Sequence, residues 1–295
     1  MIEAEFIAAL RRLPLHPGAL GLADDAARLG AFVITTDTLV EGVHFLPLDP
    51  PEDVAWKLVA TNLSDLAAKG ARPEGVLLNY PLGDDRWDRA FVAGLAAALA
   101  AFDCPLIGGD TVSLPEGSAR VLTLTAFGAD AMAPARSGAL PGDALWVTGT
   151  IGDAGAGLAI ARGSAGSDAL LAAYRRPRPR IAEGRLLAPL VHAMMDVSDG
   201  LLIDAWRMAA ASGCAVMIDL ARVPLSADYR ATGADALAAA TAGDDYQLLF
   251  AAAPDIPIPV PATCIGAFRE GKGLALMDGD RVAPLPARLG FEHRA

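Results

Sequence analysis

The chain has 295 residues, 53% of them hydrophobic, and a formal net charge of −11; it can fill two cores of ordinary size, which excludes a disordered chain. The acidic balance, with its one dense basic run at Arg175, Arg176, Arg178 and Arg180, excludes a nucleic-acid backbone as principal partner but leaves room for a metal-chelated small anion. Cys104, Cys214 and Cys264 are odd in number and far apart, so neither a disulfide framework nor a Cys-rich zinc site is expected. With no signal-type leader and no run of eighteen apolar residues, a cytoplasmic protein without a membrane partner is expected.

In chain order, the first acidic marker is Ala23-Asp24-Asp25-Ala26. An apolar strand over 31–34 then runs into Thr35-Thr36-Asp37. Hydroxyls and carboxylates at a strand end can share a metal and its waters, although a solvated turn is the default reading of either loop alone. His44 lies between apolar neighbours, a setting that suits a packed imidazole as well as a ligand. Pro50-Pro51-Glu52 opens a helix whose apolar stripe is Trp56, Val59, Leu63 and Leu66, and Gly70 closes it. Asn62 and Asp65 lie three apart on a neighbouring face. Burying them unpaired is costly, so Asp65 is expected to face a cleft or a cation.

A second helix, 87–101, leads through Pro105-Leu106-Ile107 to Gly108-Gly109-Asp110-Thr111, read as another strand ending in a carboxylate. Paired glycines there would let the backbone approach a phosphate, or merely turn. Residues 121–127 form a further strand. The Pro- and Gly-rich segment 133–143 marks a boundary, dividing the chain into 1–135 and 136–295. Beyond it, a strand over 144–148 meets glycines that lack the G-x-G-x-x-G spacing and are read as a tight turn.

An Arg/Pro run leads into a helix over 181–190. At Met195-Asp196-Val197-Ser198-Asp199-Gly200-Leu201-Leu202-Ile203-Asp204 an apolar strand ends and a helix begins, so Asp196 and Asp199 flank a corner. Free N–H groups at the helix start would suit an anion, and the neighbouring carboxylates would repel it unless a cation intervened. Phosphate with Mg²⁺ satisfies both; an Asp helix cap beside a solvated neighbour is the alternative. A strand over 214–220, a carboxylate loop at Asp244-Asp245 feeding another strand, and a tail aromatic, Phe291, complete the reading.

Six acidic markers placed at element ends suggest convergence. Converging carboxylates tolerate one another only with several bound cations, which points to a polyphosphate with several Mg²⁺ ions. No G-x-x-x-x-G-K-[ST] loop and no protein-kinase signature is present, so ATP chemistry would use another scaffold.

The ordered set Ala23–Ala26, Thr35–Phe45, Asn62–Gly70, Gly108–Thr111, Arg136–Gly138, Asp196–Leu201 and Gly243–Tyr246 closely resembles the thiamine-monophosphate kinases, within the superfamily of aminoimidazole ribonucleotide synthetase-like ATP enzymes. The resemblance implies an α/β (α+β) fold of two domains, the N-terminal one pairing strands across a homodimer. It also implies a cleft holding ATP, Mg²⁺ and thiamine monophosphate, with direct phosphoryl transfer to give thiamine diphosphate. It assigns the metal to Asp25, Thr35, Thr36, Asp37, Asp65, Asp110, Asp196 and Asp199, with Asp196 and Asp199 central to catalysis. Nucleotide contacts fall on Thr35, Gly109, Asp110, Arg136 and Ser198, and thiamine-phosphate contacts on His44, Asp244 and Phe291. Asp244 is expected to pair with the cationic part of thiamine. The chain departs from the family pattern at Ala23, where Gly is usual, and at Asp244 and Gln247, where Glu is usual. Another ATP enzyme of the superfamily, or a nucleotide- or cation-binding module without turnover, is the rival reading.

Overall fold

A computed structural model describes residues 3–293, and in it two β-sheets follow one another along the chain. Helix α1 (Glu3–Leu10) precedes the first sheet, which contains β1 (Ala27–Leu29), β2 (Phe32–Val40), β3 (Arg72–Leu82), β4 (Leu106–Ser113) and β5 (Val121–Ala129) in the spatial order β1-β2-β5-β3-β4. Its pairings are antiparallel except β3–β4. Helices α2 (Pro51–Ala68) and α3 (Asp85–Ala101) cover one face. There Leu122, Leu124 and Ala126 of β5 meet Leu58, Val59, Leu63 and Phe91, because alternate strand residues point to one side. The opposite face carries hydroxyls and apolar groups, with Thr36–Thr125 and Thr38–Thr123 hydrogen-bonded across strands at 3.0 and 2.8 Å. Along β4 every residue is exposed, Leu106, Ile107 and Val112 included.

The second sheet contains β6 (Ala144–Thr148), β7 (Ala193–Asp196), β8 (Ala215–Asp219), β9 (Leu248–Ala252), β10 (Ala262–Arg269), β11 (Gly273–Asp278) and β12 (Arg281–Ala283) in the order β12-β11-β8-β10-β6-β9-β7. Around it lie α4 (Asp153–Ala161), α5 (Asp168–Arg175), α6 (Ile181–Leu187), α7 (Leu201–Ser212), α8 (Ala227–Ala231) and α9 (Ala236–Thr241). From α7, Leu201, Leu202, Ala205, Met208 and Ala209 pack on Val147, Ile218, Ile265 and Phe268, the 3.6-residue stripe that the sequence displays.

Helix α2 belongs to both layers. Prolines suit its first turn, and Gly70, at φ 61°, supplies the left-handed residue past its end. One flank packs on the first sheet, while Ala67 and Ala68 on the other join Leu187, Ala188, Met194, Leu248 and Phe250. Small side chains allow this second contact: a Cβ at Gly184 of α6 would lie 2.0 Å from the Ala67 carbonyl oxygen. A helix buried nearly all round must place its polar residues in contact with partners, and that requirement brings α2 to the site.

Two elements run further than the sequence suggested. Strand β2 does not end before Thr35-Thr36-Asp37 but carries them in mid-strand to Val40, paired residue by residue with β5. Strand β4 continues through Gly108-Gly109-Asp110 to Ser113. Its glycines serve strand packing, since a Cβ at Gly109 would lie 1.8 Å from the Leu78 carbonyl oxygen. Among the described residues, no helix is long and apolar enough to cross a membrane.

Candidate active site

A cavity of about 890 Å³ opens where β2, α2, the β7–α7 corner, the 242–246 loop, α4 and the chain's tail meet. Its acidic wall is formed by Asp37 and Asp65 of the first unit and Asp196 and Asp199 of the second, while His44, Asp244, Tyr246, Phe291 and His293 line another part. Thr36 and Ser198 also reach the cavity.

The acidic wall is held by short-range polar contacts across α2. Thr35 donates its hydroxyl to Asp65, and the Asp37 backbone N–H donates to Asn62 Oδ1 at 3.1 Å. Ser64, on α2, donates to Asp196 Oδ2 at 2.6 Å, joining the two units. Burial, followed by repulsion from Asp25 and Asp199, pushes the Asp37 carboxyl up to about 6. Burial and the carboxylates around them drive Asp65 and Asp196 well above the usual range. Four acids in one shielded wall therefore destabilise one another unless positive charge enters.

Some of that charge is internal, which the sequence reading did not anticipate. Lys69, at the end of α2, pairs with Asp24 and, at 2.9 Å, with Asp25, and donates to the carbonyl oxygens of Pro134 and Met194. Arg136 pairs with Asp25, and Arg207 with Asp199 and, at 3.0 Å, with Asp204. Burial alone would raise the Asp25 carboxyl, but Lys69 and Arg136 together hold it down at about 2. Arg207 stands three residues after Asp204 on one helix, a spacing the sequence does show; the Lys69 and Arg136 pairings join distant parts of the chain.

The β7–α7 corner is also filled differently. Its N–H groups are not open to an anion: buried Asp204 accepts from the backbone N–H groups of Ser198, Asp199 and Gly200 at 3.1, 3.0 and 3.2 Å. Burial, then the Asp199 charge, raises the Asp204 carboxyl to about 7. Gly200, at φ 131°, lets the backbone wrap around that carboxylate. Asp204 ends the corner motif, and a carboxylate one turn into the helix is the sequence signal for this role.

Of the sequence-derived site residues, Thr36, Asp37, His44, Asp65, Asp196, Ser198, Asp199, Asp244 and Phe291 line the cavity. Thr35, Asp25 and Arg136 stand behind this wall, joined to it by the contacts above. Gly109 and Asp110 are not brought there within one chain. Asp110 faces Asn79 of β3 in register, β3 is followed by β5, and β5 by β2, so three strand steps separate it from Thr38. Asp245 is structural, accepting from Gly152 N–H at 2.7 Å at the start of α4. Ala23 sits at φ −120°, so no glycine is required there.

The donors fit a hard divalent cation. They are carboxylate and hydroxyl oxygens gathered on one wall of the cavity. Among the described residues no three acidic, His or Cys side chains already converge on a ligand cage. Mg²⁺ takes one or two carboxylates from a protein and draws its remaining ligands from water and phosphate.

Over both sheets the chain matches the AIR synthase related proteins. The N-terminal domain of that family matches residues 23–129 and its C-terminal domain residues 141–275. Thiamine-monophosphate kinase of Caulobacter vibrioides is 40% identical, over 99% of this chain and 90% of the relative. That of Escherichia coli K12 is 40% identical over 89% of each. A solved structure described as AaThiL complexed with AMPPCP and TMP superposes with a TM-score of 0.86 at 29% identity, covering 99% of this chain and 97% of that one. The chain belongs to the thiamine-monophosphate kinase family of AIR synthase related proteins.

Proposed function

We propose that the protein phosphorylates thiamine monophosphate with ATP, giving thiamine diphosphate and ADP. The observation that carries this reading is a single cavity with an acidic wall for cation-bound phosphates and an aromatic part for a flat organic ring. Relatives at 40% identity bear the name of this activity, and the neighbour complexed with AMPPCP and TMP supports the same pair of ligands.

The acceptor phosphate is already anionic at neutral pH, so no general base is needed, and positioning with electrostatic stabilisation supplies the catalysis. Asp37, Asp65, Asp196 and Asp199 would share several Mg²⁺ ions, one or two carboxylates to each, with Thr36 beside them and Asp25 and Thr35 behind. Bound there, Mg²⁺ offsets charge on the transferring phosphoryl group. Asp204 and Arg207 fix the position of Asp199, and Ser64 that of Asp196. Arg136 and Ser198 serve the nucleotide. His44 receives the Val40 N–H at Nδ1, so its neutral ring offers Nε2–H to the substrate. Burial and then His293 lower the His44 pKa and favour that neutral form. Phe291, tethered by its N–H to the Asp199 carbonyl oxygen at 2.9 Å, closes the ring site. With purified protein, ATP and Mg²⁺, thiamine monophosphate is expected to disappear in equal amounts with ADP formation. No product across a range of Mg²⁺ concentrations would overturn the assignment.

We assign the division of the chain to 135/136, the protein to the cytoplasm and the working unit to a homodimer. Support for the dimer is the wholly exposed edge strand β4 next to an uncovered sheet face, a combination that single chains ordinarily blunt or cover. A symmetric pair would bring Gly109 and Asp110 of one protomer towards its partner's cleft, giving them their nucleotide and metal roles. Co-expressing Asp110→Asn with Asp199→Asn should then recover roughly a quarter of wild-type activity through mixed dimers with one intact site. No recovery would count against shared sites.

A further inference from the structure

Behind the ring end of the cavity lies a cation that sequence reasoning did not single out. Lys57 of α2 is buried, 2% exposed, with its ammonium 2.7 Å from Asp244 Oδ2. It also donates to the His44 carbonyl oxygen at 3.0 Å and lies 4.1 Å from the centre of the Tyr174 ring. The second Asp244 oxygen accepts from the Tyr246 hydroxyl at 3.0 Å. The Asp244 backbone, at φ 69°, is pinned by its N–H to the Ser198 carbonyl oxygen at 2.8 Å. Both carboxylate oxygens are thus oriented before any ligand arrives.

This arrangement changes what Asp244 can do. A carboxylate beside an ammonium in a shielded site is one half of a neutral pair, and its field on a third charge nearby is largely cancelled. Its remaining lone pairs can still accept hydrogen bonds from a ligand's amino group. Around the pair lie rings: His44 and His293 with centroids 5.4 Å apart, and Phe291 edge-on to His293 at 5.0 Å. We propose that Lys57 cancels the charge of Asp244 and fixes its orientation, so that this end of the cavity selects a flat, hydrogen-bonding heteroaromatic ring rather than a positive charge. Lys57 is then a positioning residue for substrate choice. The inference rests on the function proposed above and replaces the expected pairing of Asp244 with a cationic ring.

The test compares two ligands by calorimetry with Mg²⁺ and without ATP: thiamine monophosphate, and an analogue whose thiazolium is replaced by an uncharged ring of the same shape. Wild-type protein is expected to bind them within about threefold of each other. In Lys57→Met the carboxylate loses its counter-charge, and preference for the cationic ligand should rise by about tenfold or more; Lys57→Arg should keep the wild-type ratio. The KM for ATP should stay unchanged in both variants. A wild-type preference for the cationic ligand beyond about tenfold, or an unchanged ratio in Lys57→Met, overturns the proposal. Should Lys57→Met not fold, the wild-type ratio decides alone. Failure of wild-type protein to turn over thiamine monophosphate would sink the functional assignment, whereas normal turnover with strong charge preference sinks this inference alone.

Discussion

Asp65→Asn is expected to lower kcat by about 10²–10³-fold or more and, in the same molecule, to raise the stability of the metal-free protein. The side chain stands on α2 facing Asp37 and Asp196, and its charged form is disfavoured first by burial and then by those carboxylates and Asp25. Asn keeps an oxygen to accept the Thr35 hydroxyl and removes the charge. Because the folded-state pKa values of Asp37, Asp65 and Asp196 are raised, their stabilising contribution is complete below the unfolded value of 3.8 and is lost as pH rises through the folded values. For Asp37 the loss falls between 3.8 and about 6 and amounts to about 3 kcal/mol at 1.36 kcal/mol per unit.

Asp25 has the opposite sign: its stabilisation is present above 3.8 and disappears as pH falls towards about 2. It therefore does not offset the loss above pH 4. Urea unfolding in a chelator at pH 5 and pH 8 should show wild-type protein weaker at the higher pH, Asp65→Asn less so, and Mg²⁺ closing much of the gap. A variant with wild-type turnover, or one less stable than wild type at pH 8 without metal, would contradict the account.

Lys69→Met, by contrast, should destabilise by about 3–5 kcal/mol, the usual consequence of breaking a buried ion pair by removing one partner. Lys69 is the common counter-charge of Asp24 and Asp25, and its further bonds to Pro134 and Met194 attach that loop to the second unit. Without it two adjacent acids share Arg136. Two variants that each remove one charge from the same cleft are thus expected to move stability in opposite directions. A loss below about 1 kcal/mol in chelator would mean that the acids protonate or regain water at little cost.

Legibility of the sequence varied with the range of the interactions. Helix α2 was readable because its start, its stripe and Gly70 are local signals, and the strand-to-helix corner at Asp196–Asp199 for the same reason. Strand ends were less so: Thr35-Thr36-Asp37 looks like a turn to a composition argument, yet the threonines are good strand residues once β5 lies alongside. Gly108-Gly109 has the composition of a loop, and its need for close approach to Leu78 exists only after β3 and β4 have paired. The convergence of Asp37, Asp65, Asp196 and Asp199 was anticipated from their recurrence, whereas Lys69, Arg136 and Lys57 act on acids far along the chain. The short elements α8, α9 and β12 offer too few residues for a period to show, whereas α5 does carry a helical signal, Ser167 as cap with Leu170 and Tyr174 four apart on its buried side.

Helix α2 lends one flank to each sheet. Denaturant that strips either layer from it bares the wall on which the other layer rests, so neither half keeps an intact interior once its neighbour melts. The same keel carries Asp65 and holds Asp196 through Ser64, and the phosphate-handling chemistry is thereby built on a buried helix that both layers share.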